Sequence, residues 1–307
     1  MTTHDAASIS DRAAANRTGL LLAAAAFAAG GLGNVVFSLH DGTQVGLALV
    51  RFVVGLAATG VWLLVRMRSH APARLPGTRR WSLLHATGAL DAGAVVLLML
   101  AAQSAGTLTF TLIGMLAPAV VAIFARILGL ARATRTSAAL AVCAVIATAA
   151  SVVLAAGVPD QVTGAGVALA AGSTLCAAGS LITSTLSRLA WDPVQLLASV
   201  CGWGVFGTLV LVALGHELMI PASTVAAGVF VALVPGGIAK LALFVAVQRS
   251  APALVSSILV VAAVTAGIGG WALLGETPGV AQVAAGAVSL ACVAGIALTR
   301  PRPDAVT

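Results

Sequence analysis

Three charged residues lie inside long apolar stretches of this sequence: Arg51, Asp91 and Lys240. A charge at the centre of a bilayer costs about 2.5–3.5 kcal/mol on insertion scales, so each such residue is a candidate for function. Asp91 stands midway along its stretch, with Thr87 and Gly88 one turn away as a small polar strip. Lys240 has Gly236 and Gly237 one turn back on its own face. Two readings of the pair stay open. Either the two charges form a structural ion pair, with Lys240 snorkelling toward the inner surface, or they contact substrate or a coupling proton. Arg51 shares a helical face with Gly55 and Thr59. Its guanidinium can grip a carboxylate through two parallel hydrogen bonds, or it can reach outward to the surface.

Uncharged polar faces surround these residues. Asn34 lies with Phe27, Gly30 and Gly31; Thr107, Thr111, Gly114 and Pro118 share a face; so do Ser173, Ser180, Ser184 and Ser187. Such spacings serve close helix packing and hydroxyl–backbone bonding, and they also line polar cavities. Trp203 is the one tryptophan in mid-stretch, where it could face a cavity. Pro118 and the triplet Pro235-Gly236-Gly237 sit well inside apolar runs. Proline deletes a backbone hydrogen bond, so these are hinge candidates, with the triplet the stronger; a static kink is the plain alternative.

Other signals carry little. Gly202, Gly204 and Gly207 spell GxGxxG, but no strand or βαβ unit surrounds them. The four cysteines (Cys143, Cys176, Cys201, Cys292) fall in four different runs without metal or redox spacing. His85 lies off-centre with no second acid near it, so no nucleophile–base pair is visible. No catalytic residue, metal site or cofactor is expected.

The elements that must hold these residues follow from composition. Of 307 residues, 60% are hydrophobic and 8% charged, against about 25% charged in a soluble domain. A span needs about 20 apolar residues, and no polar segment exceeds about 17. An all-α polytopic membrane protein is therefore expected. Ten helices are read near 18–38, 43–65, 82–102, 105–127, 137–157, 163–186, 194–215, 223–247, 251–274 and 279–299. Polar tails, 1–17 and 300–307, flank them. The net charge of +7 reports orientation rather than a nucleic-acid partner. Fourteen of the 16 Lys and Arg residues fall in the tails and alternate connections, including Arg66, Arg68, Arg74, Arg79 and Arg80, while the intervening connections hold none. By the positive-inside rule both termini are cytoplasmic, in the cytoplasmic (inner) membrane.

The two halves match weakly at a constant shift of 146 residues: Gly33-Asn34 with Gly179-Ser180, Ser104-Ala105 with Ser250-Ala251, Leu128-Gly129 with Leu274-Gly275. The same shift carries Asp91 to Gly237, one turn from Lys240. Five helices per half, 18–157 and 163–299, is an odd number, so the second half inserts upside down. Inverted repeats of this kind recur in secondary transporters, with the substrate site between them.

Ten helices in a 5+5 inverted repeat, Arg51-Phe52 in helix two, Met115-Leu116-Ala117-Pro118 in helix four and Leu274-Gly275-Glu276 ending helix nine resemble the EamA-type family of the drug/metabolite transporter superfamily. The likeness extends over nearly the whole chain. The first half keeps Pro118 but reads Leu128-Gly129-Leu130, and the second keeps Leu-Gly-Glu but has Val264 where Pro118 maps. The resemblance implies export of small metabolites, amino acids or drug-like compounds. Helix one carries no acid and the chain has no tyrosine, which disfavours a cation cage. Two internal cations against Asp91 favour a zwitterionic or anionic solute over a lipophilic cation. The expected function is a secondary transporter exporting a small polar or amino-acid-like solute, with solute and membrane lipid as its partners. A membrane-embedded enzyme and a non-transporting membrane subunit are the alternatives. Oligomeric state, solute and coupling ion are not legible.

Overall fold

The computed structural model describes residues 3–40, 42–69, 78–105, 107–114, 116–128, 135–156, 163–187, 191–249, 255, 258, 260–275 and 279–298. Among them every regular element is a helix: α1 (Thr3–Leu39), α2 (Gln44–Ser69), α3 (Thr78–Ala105), α4 (Thr107–Gly114), α5 (Ala117–Ile127), α6 (Arg135–Ala156), α7 (Gly164–Ser187), α8 (Pro193–Ala213), α9 (Ala222–Leu233), a single π turn (Val234–Ile238), α10 (Ala239–Arg249), α11 (Val260–Leu274) and α12 (Val280–Leu298). Among the described residues six stretches are helices long and apolar enough to cross a membrane: Thr18–Leu39, Gln44–Arg66, Trp81–Ala102, Gly164–Leu186, Pro193–Ala213 and Ala222–Gln248. At the other four expected spans the apolar helical stretches are shorter: Thr109–Phe124, Ala139–Ala150, Val264–Leu274 and Val283–Cys292.

Three departures from the sequence reading have local causes. The expected 1–17 tail is helical from Thr3, because its alanines favour helix despite its polarity. Helix four is two helices. Pro118 has no N–H for the Gly114 carbonyl, so α4 stops at Gly114 and the chain restarts with Pro118 in the first turn of α5. A tight Leu116 N–H to Ile113 C=O bond of 3.0 Å closes the step. Helix eight is continuous but locally widened. Pro235 cannot donate to the preceding turn, and the ladder slips by one residue, with the Ala239 N–H on the Val234 carbonyl.

Elsewhere the ends obey ordinary capping chemistry. Asp192 caps α8 by accepting from the Val194 N–H, and Gln195 returns the bond to the Asp192 N–H. At the other end of α8, Gly215 takes φ +92°, and the His216 N–H reaches the Leu211 carbonyl, a left-handed stop that favours glycine.

Helix pairing is reciprocal. α3 packs along α7 and α8, while α9, the π turn and α10 pack along α1 and α2. α1 lies on α11, and α7 on α4 and α5; α2 meets α8, and α6 meets α12. Bonds between connections sort the two ends. Thr43 bonds Met219, and Thr163 bonds Ser104, at one end. Arg66 bonds Asp192, and Gln248 bonds the Trp191 carbonyl, at the other.

Small residues set the closest approaches. A Cβ at Gly204 of α8 would strike the ring of Phe52 on α2, which is 1% exposed. Overpacking of this kind costs about 1–3 kcal/mol. Gly204→Ala should therefore lower the unfolding temperature of the detergent-purified protein. Gly202→Ala, whose Cβ meets nothing within 4 Å, should leave it nearly unchanged. Equal effects would refute this packing.

Candidate functional site

A central cavity of about 220 Å³ lies among α1, α2, α3, α4, α5, α7, the π turn, α10 and α11. Five of the six residues expected from sequence to bind or couple line it: Asp91, Lys240, Arg51, Asn34 and Ser180. They reach it from five helices because each is the polar member of an otherwise apolar stretch, and burial inside the bundle is its alternative to lipid.

Asp91 is the hub. Its Oδ1 accepts from Lys240 Nζ at 2.6 Å and from Ser180 Oγ at 3.2 Å. Its Oδ2 is buried with no hydrogen-bond partner. Asp91 comes from mid-α3, Ser180 from α7, and Lys240 from the first turn of α10, directly after the π turn. Lys240 does not snorkel away: its ammonium stays on Asp91, 5.7 Å from the Phe244 ring centre. Asn34 Nδ2 donates to Thr111 Oγ1 at 3.4 Å, joining α1 to α4. Ser173 and Thr174 line the same space and spend their hydroxyl protons on backbone carbonyls of Ala94, Ile113 and Ala170.

Arg51 is also inside, only 9% exposed. It does not reach the surface. Its guanidinium carbon lies 5.9 Å from the Phe37 ring centre and 5.5 Å from that of Phe52, within cation–π range. Gly236 lets the π turn close on it: a Cβ there would sit 3.1 Å from Arg51 Nε and 2.7 Å from the Val231 carbonyl oxygen.

The expected hinge residues divide. Pro235 lines the cavity, with its ring against Gly33 of α1. Gly236 touches Arg51, while Gly237 packs toward the Ala232 carbonyl. Pro118 is buried beside Ala117, which lines the cavity. The side chain of Thr107 lies outside the described residues.

Trp203 is not part of this site. It lines a separate open groove with Trp81, His85, Trp191 and Phe206, and it donates from Nε1 to His85 Nδ1 at 3.3 Å. Its place in mid-stretch leads to this groove and not to the central cavity. The sequence reading missed the aromatic partners of the cations. Phe244 follows Lys240 at i+4, a visible signal; Phe37 reaches Arg51 from another helix and left none.

The arrangement can bind and orient a polar solute: among the described residues it offers a cation without a hydrogen-bonded partner, one tied ion pair, an amide and several hydroxyls. No protein-family model matches the sequence, and no curated protein does. The fold is similar to that of a solved crystal structure described only as that of a protein, with TM-score 0.64 and 19% identity, covering 95% of this chain and 99% of that one. It shares the fold over essentially its whole length.

Removing one member of a buried ion pair costs about 3–5 kcal/mol, because the other charge is stranded. Asp91→Asn and Lys240→Met should each destabilise the protein by that order, and the double change by clearly less than either. Thermal unfolding of the four proteins checks this. Strictly additive losses would mean that the charges do not interact.

Proposed function

We propose that this chain is a ten-helix secondary transporter of the EamA type, exporting a small polar or amino-acid-like solute by alternating access between two inverted five-helix repeats. The carrying observation is a cavity lined by residues of both halves, several of them charged or polar, with an ion pair joining α3 of the first half to α10 of the second.

The reciprocal packing supports the repeat. If α1 is exchanged with α7, α2 with α8, α3 with α9–α10, α4–α5 with α11 and α6 with α12, the most extensive helix contacts map onto one another. Asn34 and Ser180, equivalent by the sequence shift, both line the cavity from the exchanged pair α1 and α7. The sorting of connections supports the topology as well. Thr43, Met219, Ser104 and Thr163 bond one another in pairs at connections read as external; Arg66, Asp192, Trp191 and Gln248 do so at connections read as cytoplasmic. With the arginine-rich connections inside, both termini face the cytoplasm of an inner membrane.

Alternating access needs elements that yield near the site. The π turn and the break before Pro118 lie on helices that line the cavity from opposite halves. Discontinuous helices at a buried site are a recurring feature of such transporters. Enzyme chemistry is the weaker reading, because the cavity's one carboxylate has an oxygen tied to Lys240 and Ser180. A non-transporting subunit would leave the charged and hydroxyl residues of the cavity without use.

Liposomes containing the purified protein and loaded with a cell metabolite extract should lose a restricted set of small polar solutes that empty liposomes retain. The variant carrying both Asp91→Asn and Lys240→Met should fold but no longer release them, if the pair belongs to the mechanism. Normal release by that variant would reduce the pair to a structural tie. No release of any solute by the unmodified protein would refute the transporter reading.

A further inference from the structure

Arg51 is the unsolved charge of the cavity. Among the described residues no hydrogen bond or ion pair reaches its guanidinium; its neighbours are the faces of Phe37 and Phe52 and the glycine of the π turn. Asp91, the one carboxylate among the described residues that line the cavity, attracts the Arg51 charge but does not bond it. Asp91 Oδ1 is occupied by Lys240 and Ser180, and Oδ2 is buried without a partner. Two cations therefore share one carboxylate among the described residues that line the cavity. Arginine cannot shed its proton to escape this. A charged donor with no bonded partner is free to take one, and Arg51 lines the space a solute would fill.

We propose that Arg51 is an anion-binding site, and that the solute taken into this cavity carries net negative charge, docked on Arg51 through a carboxylate. The proposal rests on the transporter reading and narrows its solute class. A carboxylate matches the guanidinium fork with two parallel hydrogen bonds and neutralises the surplus charge. The flanking Phe37 and Phe52 rings restrict the guanidinium before the solute arrives. The same geometry argues against a zwitterion. An incoming ammonium would need a free acceptor of opposite charge, and the unpartnered Asp91 Oδ2 is closed off on a carboxylate already held by Lys240. A second ammonium there would face the first.

The test uses full-length protein in detergent, with thermal unfolding followed by its five tryptophans. The probes share one aliphatic body: 4-methylpentanoate as the anion, leucine as the zwitterion, and 3-methylbutylamine as the cation. The anion should raise the unfolding temperature saturably and with the highest apparent affinity. Leucine should be weaker, and the amine and sodium chloride should be without specific effect. Arg51→Gln should weaken the 4-methylpentanoate response by about ten- to a hundredfold, and the unliganded variant should be at least as stable as the parent, since a stranded charge is gone. Arg51→Lys, which keeps the charge and loses the fork, should fall between. If Arg51→Gln does not fold, Arg51→Lys and the probe series on the parent still decide.

Equal stabilisation by the amine, an undiminished carboxylate response in Arg51→Gln, or stabilisation by phosphatidylglycerol but not by 4-methylpentanoate would each overturn the proposal. The last would assign Arg51 to a lipid headgroup. Failure here is separable from failure of the transporter reading. Liposomes that release neutral or cationic solutes would sink the anion site alone, and Arg51-dependent carboxylate binding without any transport would sink transport alone.

Discussion

Lys240 and Asp91 hold each other at 2.6 Å from α10 and α3, with the carboxylate almost wholly buried. In a chain that is 60% hydrophobic, the interior offers few ways to satisfy a charge, and the backbone has already spent its own groups on helices. The remaining polar side chains follow from that constraint. Ser180 comes from α7 to the same carboxylate oxygen, Asn34 pairs with Thr111 between α1 and α4, and Thr87 pairs with Thr183 between α3 and α7. The cavity is the place where these obligations converge.

The backbone is weakest in the same layer. Pro118 and Pro235 each withhold an N–H, and the chain answers differently. Helix four separates into α4 and α5, whereas helix eight absorbs the defect in one π turn. Both defects lie beside the cavity, and the π turn sets the position of Lys240 immediately after it. A small change in that turn would move Lys240 relative to Asp91, and Gly236 relative to Arg51, together. The ion pair and the turn are thus adjacent on one helix, with Lys240 two residues past the end of the turn.

Much of this was legible in the sequence. Charge scarcity singled out Arg51, Asp91 and Lys240, and the cavity contains all three; the shift of 146 residues paired Asn34 with Ser180, and both line it. Apolar periodicity found the helices, although four of the expected spans are described as shorter apolar stretches. Three things were not legible. The helical start at Thr3 reflects alanine propensity overriding polarity. The separation of α4 from α5, as against a π turn at Pro235, left no sign in the sequence, because both prolines sit alike inside apolar runs. The outward placement of Trp203 could not be read because lipid-facing and cavity-facing aromatics look alike in an apolar run.

The account turns on whether the cavity meets both sides of the membrane. Ala177 lines it from α7, so the most direct measurement is Ala177→Cys in a background with Cys143, Cys176, Cys201 and Cys292 replaced. The reagent is a membrane-impermeant thiol label, applied separately to right-side-out and inside-out vesicles. Alternating access predicts modification from both sides, at rates that a bound solute changes in opposite directions or suppresses together. Modification from one side only, unaltered by any solute, would contradict it.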